Sequence, residues 1–290
     1  MKRLLSLCFI FSISFSATVW AKNDICQIEP STFHICLNLA NQGDVDAQYK
    51  TGELYDKGLG VQQDYKEAAK WYIQAAQQGH AEAQFSIGYF YMEGLRVPQN
   101  YTTAVKWYQK AASQGLTHAQ NNMAFLYKEG LGVKQDKQKA MEWYLKAAKL
   151  GDSAAQNGLG MIYSLGEIVP QDYQKAMEWY LRASEQGLSI AQNNIGFLYQ
   201  KGRGVRLDYQ KAMEWYLKAA NGSSAAGMFN VGYLYQTGLG VEKDEQKALE
   251  WYQKAAEADK NFTEAAFAVK KLTKKLNREK ASGASKNAGK

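Results

Sequence analysis

Residues 191–220 read AQNNIGFLYQKGRGVRLDYQKAMEWYLKAA, and this stretch decides the fold. Its pattern recurs along the chain at a constant step of 36 residues. The step is kept by six Trp-Tyr pairs, which begin at Trp71, Trp107, Trp143, Trp179, Trp215 and Trp251. So many bulky pairs in one register indicate an internal structural repeat.

Each unit is predicted to form two helices joined by a short loop. In the second unit, Ala83, Ile87 and Tyr91 fall on one face of a first helix. Gly94 is expected to end that helix, because glycine readily adopts the left-handed conformation of helix ends. Asn100 then begins the second helix as an N-cap. Aspartate takes that place in the other units, at Asp64, Asp136, Asp172, Asp208 and Asp244.

The repeat pairs bulky side chains with small ones. One position of the first helix carries Gly52, Gly88, Ala124, Gly160, Gly196 and Gly232. A Trp-Tyr pair on a neighbouring helix needs such partners, and truncating a buried Trp is expected to cost about 3–5 kcal/mol. A single unit cannot bury both of its faces, so the units are predicted to stack. The predicted units are residues 43–78, 79–114, 115–150, 151–186, 187–222 and 223–258.

The running pattern Ala-Gln-x-x-x-Gly-x-x-Tyr-x-x-Gly-x-Gly-Val-x-x-Asp-Tyr-x-x-Ala-x-x-Trp-Tyr-x-x-Ala-Ala resembles the Sel1-like repeat, a relative of the tetratricopeptide repeat. The resemblance covers residues 43–258 and implies an all-α fold, a right-handed α/α solenoid of helix-turn-helix repeats. It also implies a protein-binding scaffold in which the first helix of each repeat lines a concave groove. A departure at Asn221-Gly222-Ser223 shifts a loop glycine by one place.

Capping segments are predicted at both ends of the repeats. Residues 22–42 are predicted to form an N-terminal capping half-repeat, within which Ser31 to Asn41 aligns with a second helix. Cys26 and Cys36 lie close together there, and a disulfide is expected, with two free thiols as the alternative. Residues 259–276 carry an apolar stripe typical of a C-terminal capping helix. Residues 277–290 are rich in Ser, Gly, Ala and Lys, and are predicted to be a basic disordered tail.

The first residues predict export. Lys2 and Arg3 precede an apolar run too short to span a membrane comfortably, and small residues precede a cut after Ala21. The prediction is a signal peptide at residues 1–21 and a periplasmic or secreted mature protein. An uncleaved N-terminal anchor is the alternative.

Positive charge is concentrated at the C-terminus. The chain has a formal net charge of +7, and from Lys270 onward eight Lys and Arg residues face Glu279 alone. The rest of the mature chain has 25 basic and 27 acidic residues, which argues against a nucleic-acid-binding face. The basic tail could make weak contact with an anionic surface, with a merely solvated end as the alternative.

Candidate partner-binding residues lie on the first helices. Asparagines occupy two adjacent registers, at Asn121, Asn157 and Asn193 and at Asn122, Asn194 and Asn230. The resemblance implies that they hold a partner's backbone, since an amide both donates and accepts hydrogen bonds. Aromatic residues that could grip partner side chains are Tyr89, Phe125, Phe197 and Tyr233. The alternative is that the asparagines bond between neighbouring helices and the aromatics fill the groove floor.

No catalytic, cofactor or metal site is predicted. The histidines His34, His80 and His118 form no ligand cluster with the cysteines, and no Ser-x-x-Lys occurs with its supporting motifs. Secreted cysteine-rich relatives of the Sel1-like repeat are associated with penicillin binding and weak β-lactamase activity. They carry a disulfide in each repeat, which this chain lacks. An immunity or accessory protein of a toxin system is a further alternative.

Overall fold

The computed structural model describes residues 26–95 and 97–287, and within this part it contains helices and no β-strand. A 3-10 turn at Pro30–Thr32 comes first. The α-helices are α1 (Phe33–Asn41), α2 (Val45–Lys57), α3 (Tyr65–Gln77), α4 (Ala81–Glu93), α5 (Tyr101–Ser113), α6 (Thr117–Glu129), α7 (Lys137–Lys149), α8 (Ser153–Leu165), α9 (Tyr173–Glu185), α10 (Ser189–Lys201), α11 (Tyr209–Asn221), α12 (Ala225–Thr237), α13 (Glu245–Ala258) and α14 (Thr263–Asn287).

These helices belong to two compact units, one ending at Asp136 and the other beginning at Lys137. Within each unit, every helix packs against the next helix along the chain. Even-numbered helices from α2 to α12 are the first helices of the repeats, and odd-numbered helices from α3 to α13 are the second helices. Such serial packing of helix pairs confirms the predicted all-α, solenoid-type architecture. The right-handed superhelix stays a prediction.

The predicted helix boundaries are confirmed by their capping contacts. The first helices end at glycines with φ between 63° and 73°, namely Gly58, Gly94, Gly130, Gly166, Gly202 and Gly238. The Asp208 carboxylate accepts a hydrogen bond of 2.9 Å from the Lys211 backbone N–H and so caps α11. Equivalent caps are made by Asp64, Asn100, Asp172 and Asp244. At Asp172, the Lys175 backbone N–H lowers the carboxyl pKa by stabilising the charged form.

The tyrosine of each Trp-Tyr pair is the bulky core residue. Tyr216 is completely buried, and its ring lies against Gly196 of the preceding helix, where an added Cβ would approach Cδ1 and Cε1 to 2.7 Å. The same contact joins Tyr72 to Gly52, Tyr108 to Gly88, Tyr180 to Gly160 and Tyr252 to Gly232. In these five repeats the ring occupies the space that a side chain would need, which explains the glycine; the third repeat has Ala124 at this position.

The tryptophans are half-buried at the edge of the core, so the expectation that they are buried is wrong. Successive helical residues point about 100° apart, and Trp215 cannot face the core together with Tyr216. Trp215 is half-buried and packs on the cluster of the preceding repeat, which includes Tyr180. Lys218 Nζ covers its ring, 4.1 Å from the centroid. Lys110, Lys146, Arg182 and Lys254 cover the corresponding tryptophans.

Glutamine side chains link successive repeats. Gln186 Nε2 donates a 2.9 Å hydrogen bond to Gln156 Oε1, while Gln156 Nε2 donates to the Ala148 carbonyl. The pairs Gln78–Gln48 and Gln114–Gln84 repeat this bond in the N-terminal unit. Gln192 is the equivalent of Gln156, and its buried Oε1 has no partner among the described residues. Gly222 stands where the donor glutamine would be, 30 residues after Gln192.

The same junction holds a strained residue that yields a testable prediction. Ser223 has φ of 63° where the other repeats place a glycine, and this conformation costs a side-chain-bearing residue roughly 1–2 kcal/mol. We expect Ser223→Gly to raise the free energy of unfolding by about 1 kcal/mol in urea titrations, after the added flexibility of glycine is offset.

A neighbouring serine supplies the control. The Ser224 hydroxyl accepts a 3.1 Å hydrogen bond from the Gly227 backbone N–H. Ser224→Ala should therefore lower the free energy of unfolding by about 1 kcal/mol. A Ser223→Gly variant that is no more stable than the parent would contradict the assignment of strain at this position.

A buried disulfide fixes the N-terminal half-repeat. Cys26 and Cys36 are joined, 10 residues apart in sequence, and both are buried in a cluster with Phe33. The expected disulfide is thus present. The loop of the first repeat closes over this segment, since an added Cβ on Gly60 would lie 2.1 Å from the Pro30 carbonyl oxygen.

The last helix is longer than predicted. Helix α14 runs to Asn287, so an end at residue 276 followed by a disordered tail from residue 277 is too early. Lys, Arg, Glu and Ala in this stretch favour helix, and Lys275 lies 3.7 Å from Glu279 one turn later. Lys275 also lies 2.6 Å from Glu245 of α13, and this hydrogen bond lowers the Glu245 pKa.

Several predictions concern residues that the structure does not describe. The signal peptide at residues 1–21, with its cut after Ala21, lies outside the described residues, as do residues 288–290 of the predicted tail. Among the helices that are described, none combines the length and the apolar character needed to cross a bilayer.

Candidate partner-binding surface

In each of the two units, exposed apolar side chains occupy one repeat position of the first helices, and we call this set of residues the aromatic stripe. It comprises Tyr89 and Phe125 in the N-terminal unit and Met161, Phe197 and Tyr233 in the C-terminal unit. Successive members of the stripe are 36 residues apart, and each side chain is 37–41% exposed. Large apolar side chains at equivalent positions therefore face solvent on successive repeats, where they can contact a partner.

The predicted asparagines form a ladder between first helices. Asn194 Nδ2 donates a 3.0 Å hydrogen bond to Asn157 Oδ1, and Asn230 Nδ2 donates a 2.8 Å bond to Asn193 Oδ1. These bonds join α8 to α10 and α10 to α12, and the stripe residues lie three or four positions further along the same helices. The sequence analysis gave hydrogen bonds between neighbouring helices as the alternative role of the asparagines. These four asparagines form such bonds.

The N-terminal unit uses its asparagines differently. Asn122 lies beside the Tyr108 hydroxyl, which donates to Met92 Sδ at 3.7 Å, and Asn121 is half-buried. An amide offers two donor hydrogens and two acceptor lone pairs, so each ladder bond leaves hydrogen-bonding capacity unused. The part of each asparagine in binding a partner stays a prediction.

Tyrosine hydroxyls provide a neutral, satisfied layer next to the stripe. Tyr216 donates a 2.6 Å hydrogen bond to Gln200 Oε1, and Tyr252 donates a 2.8 Å bond to Gln236 Oε1. Desolvation by burial raises the pKa of Tyr252 to about 12 and that of Tyr180 likewise to about 12. These hydroxyls therefore stay protonated at neutral pH and act as hydrogen-bond donors.

Over residues 26–95 and 97–287, no group of three or more His, Cys, Asp and Glu side chains is arranged to hold a metal ion. His80 instead caps α4, where Nδ1 accepts a 3.3 Å hydrogen bond from the Ala83 backbone N–H, and its ring stacks on Tyr49.

Comparison with known families agrees with the repeat geometry. The Sel1 repeat model matches residues 45–80, 81–116, 117–152, 153–188, 189–224 and 225–260. These matches cover most of the chain. The chain belongs to the Sel1 repeat family. No curated protein matches this Sel1 repeat protein.

Solved structures of similar chains share this fold. A Sel1 repeat protein from Oxalobacter formigenes is 38% identical, with a TM-score of 0.70 over 74% of this chain and 88% of that one. A protective antigen of uropathogenic Escherichia coli is 34% identical, with a TM-score of 0.71 over 82% of this chain. The match covers 50% of the antigen, so this Sel1 repeat protein corresponds to about half of its length.

A more distant similarity concerns the fold alone. An immunity protein from Pseudomonas aeruginosa is 20% identical, with a TM-score of 0.52 over 75% of this chain and 83% of that one. At this level of identity, the shared helical architecture does not transfer a role.

Three features of the surface were not predicted from the sequence. Met161 occupies the stripe register and is as exposed as the aromatic members, and the 36-residue step could have identified it. Arg203 lies 5.4 Å from the ring of Phe197, with Lys201 at 5.8 Å. Phe267 of α14 is 66% exposed beyond the last repeat, and no repeat register marks it.

Proposed function

We propose that this Sel1 repeat protein is a non-catalytic scaffold that acts in the periplasm or outside the cell and holds a protein or peptide partner along the aromatic stripe. The observation that carries the proposal is the exposure of Phe197 and Tyr233 on adjacent first helices. Aromatic anchors of this kind dominate the energetics of protein interfaces.

The composition of the surface favours an extended peptide or a loop as the bound element. In the C-terminal unit, Met161, Phe197 and Tyr233 supply separate apolar contacts at a regular interval, one on each repeat. The remaining donors and acceptors of Asn194 and Asn230 lie beside them and can pair with a peptide backbone. A concave groove, lined by first helices, is the arrangement that we propose for this contact.

The disulfide supports export. Disulfides persist in oxidising compartments such as the bacterial periplasm and are rare in the cytosol. Cys26 and Cys36 are joined in the first capping segment, directly after the residues proposed to contain the signal peptide. The proposal therefore includes removal of residues 1–21. Contact of the basic C-terminal residues with an anionic surface is a separate, weaker element of it.

Site-specific photocrosslinking tests where the partner binds. Benzoylphenylalanine placed at Phe197 in the full chain, exported in the producing bacterium, should crosslink to one defined protein that mass spectrometry identifies. A second placement at Glu214 provides the control, because this exposed residue adjoins Trp215 on the second helix. We expect crosslinking at position 197 to exceed that at position 214 by about tenfold, as expected for a residue inside the interface.

Two results would refute the proposed function. Equal crosslinking from positions 197 and 214 would show that the stripe is not the contact surface. Hydrolysis of nitrocefin by the purified protein that persists in every variant of the stripe would instead indicate an enzyme. Circular dichroism of each variant verifies that the helices are retained.

A further inference from the structure

A pocket lies at the end of the aromatic stripe, between the last repeat and the capping helix. We call it the end pocket, and its volume is about 430 Å³. Its lining comes from α12, α13 and α14 and includes Phe229, Tyr233, Gln236, Tyr252, Phe267 and Lys271. A volume of this size lies within the range of small binding pockets in proteins.

Aromatic side chains that contact one another form part of the wall of the end pocket. Phe229 packs against Tyr252 with ring centroids 5.0 Å apart and against Phe262 at 5.3 Å. Gln236 accepts the hydrogen bond of the Tyr252 hydroxyl at the floor. Since that hydroxyl is already paired, the pocket favours an apolar or aromatic side chain. Phe267 is 66% exposed.

A basic flank continues from the end pocket along α14. The adjoining cavity, of about 400 Å³, shares Gln236 and Lys271 with it and is also lined by Lys274, Lys275, Arg278 and Glu279. Lys275 is paired with Glu245 and Glu279. Among the described residues, none places a carboxylate within ion-pair distance of Lys271, Lys274 or Arg278. Three positive charges on this flank therefore have no internal counterion.

We propose that the end pocket and its basic flank bind an acidic segment of a protein partner that carries one large aromatic side chain. The aromatic ring enters between Tyr233 and Phe267, and carboxylates of the same segment pair with Lys271, Lys274 and Arg278. Glu264 also lines the end pocket, near the start of α14 and seven residues before Lys271, and repels carboxylates at that end, so the acidic residues extend from the aromatic anchor toward Lys274 and Arg278. This inference rests on the proposed function and names its ligand chemistry.

Binding of defined peptides to the full chain tests the ligand chemistry. The probes are fluorescein-labelled Gly-Phe-Asp-Glu-Asp, its reversed sequence Asp-Glu-Asp-Phe-Gly, the Phe→Ala version of each, and Gly-Phe-Lys-Lys-Lys, all with blocked ends. Fluorescence polarisation should show one acidic Phe peptide binding at least about tenfold more tightly than its Ala version and than the lysine peptide. The affinity should fall as salt is raised, because exposed charges are screened.

Variants of the protein locate the binding site. Lys271→Glu should weaken the acidic Phe peptide by about tenfold or more, and Phe267→Ala should remove the preference for Phe over Ala. Lys260→Glu makes the same charge change at an exposed residue outside the end pocket and should leave binding unchanged. Thermal unfolding of Phe267→Ala verifies folding, which is expected because this side chain contributes little buried area.

Several outcomes would overturn this inference. These are equal affinity for the Phe and Ala peptides, a preference for the lysine peptide, or equal loss with Lys260→Glu. Binding to phosphatidylglycerol vesicles without binding to any acidic peptide would show a lipid surface instead. If position 197 still crosslinks to a protein while these peptides fail, the inference alone is wrong. If both experiments fail, the proposed function is wrong as well.

Discussion

Replacing Tyr216 by alanine is expected to lower the free energy of unfolding by about 3–5 kcal/mol, the range for large aromatic truncations in protein cores. The side chain is completely buried and contacts Gly196 at the distance of a second side chain. Glycine cannot expand into the space that the ring leaves, so a cavity forms. The hydrogen bond from the Tyr216 hydroxyl to Gln200 is lost as well.

Urea titration followed by circular dichroism measures this loss. Tyr233→Ala is a matched control, because Tyr233 is 37% exposed on the stripe. It should cost less than about 1 kcal/mol, as substitutions away from the core usually do. Similar losses for the two variants would contradict the assignment of tyrosine as the core residue of the repeat.

The double substitution Cys26→Ser/Cys36→Ser is expected to destabilise the protein by about 2–3 kcal/mol, since a short disulfide loop constrains the unfolded chain. Two hydroxyls would also enter the buried cluster around Phe33. Repeat proteins unfold unit by unit when neighbouring contacts weaken. The loss should therefore be concentrated in α1 and α2, which hydrogen exchange can resolve.

Reduction of the parent protein provides the control for the disulfide prediction. Dithiothreitol in denaturant should bring the stability of the parent down to that of the double variant and leave the double variant unchanged. Equal stability of parent and double variant under oxidising conditions would contradict a structural role for the bond between Cys26 and Cys36.

Much of the fold could be predicted because local signals and long-range spacing agree. Gly202 ends α10 and Asp208 begins α11, and both positions follow from backbone and capping chemistry alone. The small residue at Gly196 indicated close packing against a bulky partner. Its partner, however, is Tyr216, and Trp215 lies at the edge. The sequence pattern alone does not fix which of two adjacent aromatic residues points inward.

The repeat positions of the candidate surface residues could be predicted from the sequence, but the hydrogen bonds between them could not. Phe197 and Tyr233 are exposed at the expected positions. The bond between Asn193 and Asn230 joins residues 37 apart rather than 36, so it pairs the two asparagine registers with each other. This one-residue offset depends on how far neighbouring first helices are shifted along their axes relative to each other. The sequence of a single repeat does not determine that shift.

The C-terminal end departs most from the sequence prediction. Ser, Gly and Lys suggested disorder after residue 276, yet α14 continues and places Lys271, Lys274 and Arg278 along one cavity. Phe267 has no equivalent in the repeats, so periodicity could not mark it. Its importance depends on the three-dimensional neighbourhood that Tyr233 and Phe229 provide.

Hydrogen–deuterium exchange of the full chain, with and without the partner captured at position 197, tests the central claim most directly. We predict slower exchange on binding in the first helices α8, α10 and α12, which carry Met161, Phe197 and Tyr233. The second helices α9 and α11, which carry Trp179 and Trp215, should exchange as before. Protection confined to α9 and α11, with α10 and α12 unchanged, would contradict binding along the aromatic stripe.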